Sequence, residues 1–104
     1  MRPEVERIVA LREQVLARVR ELLVEQLSVR RAPDEIDPDA PLFATGIGLD
    51  SVDAIELIVA VETAFDVRLP DGDDLLPLTR SVNRIVDFVV ASRLDQASRK
   101  GAAR

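Results

Sequence analysis

Apolar residues recur at helical spacing along the first quarter of the chain, at Val5, Ile8, Val9, Leu11, Val15, Leu16, Val19, Leu22, Leu23 and Leu27. Pro3 suits a first helical turn, and no breaker intervenes before Ser28, so the pattern predicts one long helix. The period is then lost. From Val29 to Asp50 the chain is rich in Pro, Asp and Ala, which predicts a long loop. Ile36, Leu42, Phe43, Ile47 and Leu49 are its expected pins, inserted between helices.

Periodicity resumes at about Ser51. Asp50 precedes the apolar run and Asp53 follows three residues later, the spacing of a capping box with Asp in both roles. Projection at helical pitch puts Ala54, Leu57, Ile58, Val61 and Phe65 on a core face. Val52, Ile55 and Val59 fall on another face, flanked by Glu56, Glu62 and Asp66, which predicts an exposed apolar ridge with acidic edges. Pro70 is expected to end this region, and DGDDLLPL leaves room for one turn of helix, closed by Pro77. Thr79 or Ser81 can cap a last helix whose stripe is Val82, Ile85, Val86, Val89, Val90 and Leu94. These elements predict a single all-α domain over residues 1–95, with residues 96–104 a flexible tail lacking an apolar face.

Composition narrows the chemistry. The 104 residues hold neither Cys nor His, so disulfides, a Cys metal site and a side chain that ordinarily titrates near neutrality are all missing. Asp71, Asp73 and Asp74 lack the fixed glycine and closing Glu of a calcium loop, so no metal site is expected. They read instead as acidic residues ahead of the short third helix. With no phosphate-binding glycine motif and no convergent pair of acids, no catalytic residue is assigned. Nor does any apolar run reach the length of a membrane span, and the charged N-terminus does not read as a signal peptide, which predicts a cytoplasmic location. Charge is unevenly spread: residues 32–79 carry twelve acids against Arg68 alone, while the segments on either side are net basic. That acidic block disfavours nucleic acid and favours basic protein surfaces.

The candidate chemistry centres on Ser51. The Gly46-Ile47-Gly48 turn brings the chain sharply into the helix start, so a first-turn serine is expected to present its hydroxyl outward. A phosphodiester there would meet the helix's unpaired amides and the positive end of its dipole. Gly-Leu-Asp-Ser, followed by Val-Asp-Ala-Ile-Glu-Leu and then Val-Glu-Thr-Ala-Phe-Asp-Val-Arg-Leu-Pro, resembles the central segment of acyl carrier proteins, and the resemblance extends from about Leu16 to Leu94. It implies a small antiparallel four-helix bundle of acyl-carrier type, with three main helices, one short helix and a long loop between the first two. It also implies that Ser51 carries 4'-phosphopantetheine, transferred covalently from coenzyme A by a phosphopantetheinyl transferase that also meets Asp50.

The group carrier so implied would be non-catalytic. Its arm supplies the thiol that the sequence lacks and holds acyl intermediates as thioesters. Val52, Asp53, Ile55, Glu56, Val59, Glu62 and Asp66 form the implied docking face for acyl-transferring or acyl-modifying enzymes with basic surfaces. A carrier that visits several enzymes is expected to be a monomer. Family architecture would put any cavity sheltering the cargo among Leu42, Leu57, Val61, Phe65 and the last helix.

Some residues depart from the common fatty-acid carriers. Thr63 and Ala64 interrupt the acidic edge, Val52 replaces the usual Leu, and GIGLDS has one residue more than the common turn. These differences point to a dedicated lipid, fatty-acid or polyketide-like pathway. Two alternatives stay open: an aminoacyl or peptidyl carrier, and an unmodified helical interaction module in which Ser51 merely caps. The first helix also begins several turns before the family-like LARVRELLVEQLSV, as a solvated extension or as a face for self-association or a partner.

Overall fold

The computed structural model describes residues 2–27, 29, 32–42, 49–70 and 75–102, with the backbone alone for Ser51, Leu76 and residues 97–102. The described residues form helices α1 (Pro3–Leu27), α2 (Ser51–Phe65), α3 (Leu75–Leu78) and α4 (Val82–Ala102), with a 3-10 turn at Pro33–Glu35. The α1 helix packs on both α2 and α4, and α3 rests on α4. This is the all-helical, acyl-carrier type of bundle that the periodicity and the resemblance predict.

One core cluster holds it together. Val15, Val19, Leu22 and Leu23 of α1 meet Leu57, Val61 and Phe65 of α2 and Val82, Ile85, Val86, Val89 and Val90 of α4, all buried. Burying each such side chain contributes about 1.5–3 kcal/mol, so this cluster dominates the folding energy. On α2, Ala54 and Ile58 of the expected core face are only half-buried. Val67 and Leu69, beyond the end of α2, join the core from a segment without regular secondary structure.

The loop is pinned as its apolar residues suggest: Ile36, Leu42 and Leu49 are buried, whereas Phe43 and Ile47 lie outside the described residues. Hydrogen bonds add to the pins. Arg20 Nε of α1 donates to the Ile36 carbonyl at 3.0 Å, and the Asn83 N–H of α4 donates to the Pro38 carbonyl at 2.9 Å. The Asn83 side chain donates to Asp39 Oδ1 at 2.6 Å and accepts from Arg12 Nη2 at 3.0 Å. Arg12 also pairs with Asp87, so one node joins α1, α4 and the loop.

Several boundaries differ from the sequence expectation. The α2 helix stops at Phe65, five residues before Pro70, because Asp66 adopts the left-handed conformation (φ 53°, ψ 49°) and its N–H and that of Val67 both return to the Glu62 carbonyl. Pro77 lies inside α3 instead of closing it, since a helix's first turn needs no N–H from that residue. The last turn of α3 is closed by Thr79, whose N–H and hydroxyl both donate to the Leu75 carbonyl. Ser81 is the residue that caps α4, its Oγ accepting from the Arg84 N–H at 3.4 Å. The α4 helix runs on to Ala102, through residues expected to form the tail. Its apolar stripe does end near Leu94, but Gln96, Ala97, Arg99 and Lys100 are good helix formers, and no proline follows Leu94.

At the other end, residues 2–10 are exposed throughout, although α1 is helical from Pro3. At 1.5 Å per residue the 25-residue α1 is about 37 Å long. It therefore spans most of the molecule's 45 Å long axis.

Candidate functional site

The start of α2 is fixed by three successive ties. Leu42 donates its N–H to the Arg80 carbonyl just ahead of α4 (3.1 Å), and Leu49 donates to the Leu42 carbonyl (2.9 Å). Asp50, next in the chain, is extended (φ −101°, ψ −176°) and is the N-cap. Its Oδ1 accepts from the Asp53 N–H at 2.9 Å, and Asp53 Oδ2 accepts from the Asp50 N–H at 3.1 Å. This is the reciprocal box that the D-S-V-D spacing predicts. The first α-helical bond runs from the Ala54 N–H to the Asp50 carbonyl at 3.0 Å.

Ser51 is consequently the first residue of α2. By helix geometry its own amide and that of Val52 precede the first intrahelical bond, and the dipole's positive end is directed at them. An anionic ester at this position fits the surroundings. The two nearest carboxylates are both drawn onto backbone amides, which offsets part of their charge. The expected orientation of the Ser51 hydroxyl, and the Gly46-Ile47-Gly48 turn behind it, lie outside the described residues, as do Asp71, Asp73 and Asp74.

Beyond Ser51, α2 has two faces. Leu57, Val61 and Phe65 are buried, whereas Val52, Ile55 and Val59 are 61%, 63% and 55% exposed. Such exposure leaves three β-branched side chains in water on one short helix, and burial elsewhere cannot account for their presence. Glu56 and Asp66 are exposed, but Glu62 has a different use. Its Oε2 accepts from the Leu69 N–H at 3.0 Å, so the carboxylate braces the segment after α2 instead of standing free at the ridge's edge. Sequence reading missed this because the bond joins residues seven apart across a helix end, which no period reveals.

A feature that sequence reading also missed is a groove between α1 and α2. It encloses about 470 Å³ and is lined by Arg18, Leu22 and Gln26 on one side and by Ile55, Glu56, Val59, Ala60, Thr63 and Ala64 on the other. Ala60 and Ala64, one turn apart on α2, are the signal available in the sequence, because small side chains at i and i+4 leave space beside a neighbouring helix. Leu42, Leu57, Val61 and Phe65, where a sheltering cavity was expected, are instead packed into the core at 0–6% exposure. Among the described residues, no group of three or more acidic, His or Cys side chains is placed to hold a metal ion. No helix among them is long and apolar enough to cross a membrane.

A family model, the phosphopantetheine attachment site, matches residues 17–89 and so takes in all of α2 and α3, the later part of α1 and the first part of α4. The chain belongs to the phosphopantetheine attachment site family. It is a carrier protein whose prosthetic group is covalently attached 4'-phosphopantetheine, in keeping with the resemblance to acyl carrier proteins. Carriers of this family are non-catalytic, are modified by a phosphopantetheinyl transferase and meet further partner enzymes. No solved structure matches the chain. The family match begins at Ala17, so the exposed first turns of α1 lie outside it.

Proposed function

We propose that this carrier bears its arm on Ser51 and serves as an acyl carrier in a dedicated lipid, fatty-acid or polyketide-like pathway of the cytoplasm. The observation that carries the reading is the Asp50–Asp53 box, which makes Ser51 the first residue of α2 within the family match. When bound, the group supplies a terminal thiol that holds the cargo as a thioester. The protein's part is positional. The capped helix holds the attachment point in one orientation, and the amides at its start favour the anionic linkage.

Val52, Ile55 and Val59, with Asp53, Glu56 and Asp66 around them, are the surface we assign to basic partner enzymes. Apolar contact at the ridge would supply affinity, and the acidic block would steer the encounter. Glu62 contributes to this surface indirectly, by holding the chain beyond α2. The acidity of the Asp50–Asp66 segment supports an acyl cargo over an aminoacyl or peptidyl one, since the resemblance associates less acidic second helices with peptidyl carriers.

Intact mass after incubation with coenzyme A, Mg²⁺ and a broad-specificity phosphopantetheinyl transferase tests the assignment. One arm gained by the parent and none by Ser51→Ala is expected. An arm gained equally by Ser51→Ala would move the attachment site elsewhere. A folded parent that gains none, while a control carrier does, would leave α2 as an unmodified interaction helix.

A further inference from the structure

The first turns of α1 are helical, yet the rest of the bundle gives them no cover: Val5, Ile8 and Val9 are 43%, 40% and 43% exposed. Three β-branched side chains weaken a helix end that gains no tertiary packing, so water alone does not explain them. Their placement follows a line. Val5 and Val9 lie about five helical turns before Leu23 and Leu27, and so continue the side of α1 that packs into the core. That apolar seam runs on past the point where Arg12, bound to Asn83 and Asp87, fixes α1 to the start of α4.

We propose that a second copy of this chain covers the stretch, the two α1 extensions pairing antiparallel about a two-fold axis near Ile8. The inference goes beyond the carrier reading and does not depend on Ser51.

Charge selects this occupant. Residues 2–13 hold Arg2, Arg7 and Arg12 against Glu4, Glu6 and Glu13, so the segment is neutral in a chain of net charge -5. An anionic lipid surface attracts helices rich in Lys and Arg, and here the acids cancel the arginines. A basic enzyme surface would be drawn to the acidic block at residues 32–79 instead. Two neutral copies meet without net repulsion, and their charges interlock. In an antiparallel two-fold pair, each edge of one helix faces the same edge of the other in reverse order. Arg2 and Glu13, both exposed, share one edge of the apolar stripe and stand about 16 Å apart along the axis. Arg2 of each copy therefore comes level with Glu13 of the other. The same register sets Ile8 beside Ile8 of the second copy, and Val5 beside Val9 of the second copy.

The patch is small. Three aliphatic side chains from each copy fall short of the roughly 800 Å² per partner of a standard interface, so the dimer forms at high concentration and separates readily. It uses no residue of α2, which leaves the exposed ridge to other partners.

Sedimentation equilibrium of the full, unmodified chain at low salt, over roughly 0.02–2 mM, tests the pairing in the range where so small an interface associates. The weight-average mass should rise from the monomer's 11.5 kDa toward twice that value. Ile8→Asp sets two acids face to face and alters no core residue, so it should keep the parent's urea midpoint and remain monomeric. Arg2→Glu and Glu13→Arg should each weaken association several-fold, and the two together should restore it. A parent that stays monomeric throughout would overturn the proposal and leave the face to solvent or to another protein. Association unchanged by Ile8→Asp would put the dimer elsewhere and overturn it equally, as would single charge swaps that the double swap does not rescue. In a monomeric parent, NMR shifts at residues 3–11 on adding phosphatidylglycerol vesicles would overturn it in favour of a lipid surface. Because the chain carries no arm in any of these measurements, failure here leaves the Ser51 assignment untouched.

Discussion

Substitution at Asp50 can separate two roles carried by one carboxylate, because the structure ties it to the helix start and the family resemblance ties it to the transferase. Asp50 Oδ1 accepts the Asp53 N–H at 2.9 Å, a bond that Asp50→Ala removes and Asp50→Asn can keep through its amide oxygen. Loss of an N-cap costs about 1 kcal/mol, within a range of roughly 0.5–2. At urea slopes of about 1–3 kcal/mol/M, that lowers the unfolding midpoint of Asp50→Ala by roughly 0.3–1 M. For a domain of this size it corresponds to a fall in Tm of roughly 4–8 °C. Asp50→Asn should stay within about 0.5 kcal/mol of the parent, since Asn and Asp cap comparably. Asp53→Ala removes the other half of the box, whose donor is the Asp50 backbone, and should lower stability as well. Urea denaturation of the four proteins measures this directly. If Asp50→Asn unfolds as early as Asp50→Ala, the charge matters and the cap does not, and the argument for how α2 begins is wrong. Since Asp50→Asn keeps the helix start, any slower modification by the transferase then reports the carboxylate's part in recognition.

Other substitutions probe the remaining features. Glu62→Ala leaves the N–H of buried Leu69 without its acceptor and should cost about 1–3 kcal/mol, with Glu62→Gln recovering most of it, as read by chemical denaturation. A loss of partner binding with no loss of stability would instead make Glu62 a docking residue. Asp66→Gly should be neutral or stabilising by up to about 1 kcal/mol, whereas Asp66→Val should destabilise by at least that much, since φ is 53° there. Leu57→Ala, at 1% exposure, should cost about 2–5 kcal/mol, while Val59→Ala, at 55%, should stay within about 0.5. Equal losses at the two positions would mean that α2 does not have the two faces described. Arg12→Ala should change stability by less than about 1 kcal/mol, because both it and Asp87 are substantially exposed.

What could be read from the sequence was whatever lies within one helix and follows its period. The long α1, the capping box at Asp50 and Asp53, the buried and exposed faces of α2, and a cap of α4 at either Thr79 or Ser81 all follow from spacing and side-chain chemistry within a few residues. Ile36, Leu42 and Leu49 were legible as pins because isolated apolar residues in a polar loop have few other uses. What escaped depends on the chain meeting itself. The end of α2 at Asp66 needs a left-handed residue that an aspartate tolerates but does not announce, and Pro70 was the more conspicuous signal. By sequence Glu62 is one more surface acid, and its bond to the Leu69 N–H follows only from Val67 and Leu69 entering the core beside it. The groove is a property of two helices at once, so neither helix's pattern contains it.

The reciprocal cap at the head of α2 also bears on how fast and how selectively the carrier is recognised. An enzyme that must modify a serine in a loose segment first loses conformational entropy in ordering that segment, about 1–2 kcal/mol for each backbone residue fixed. Here Asp50 and Asp53 hold the first turn in place before any enzyme arrives. The ordering cost is met during folding instead of during the encounter, so weak, short-lived contacts can still be specific. A carrier that must leave each partner soon after meeting it benefits from that arrangement: its complexes can be selective without being tight.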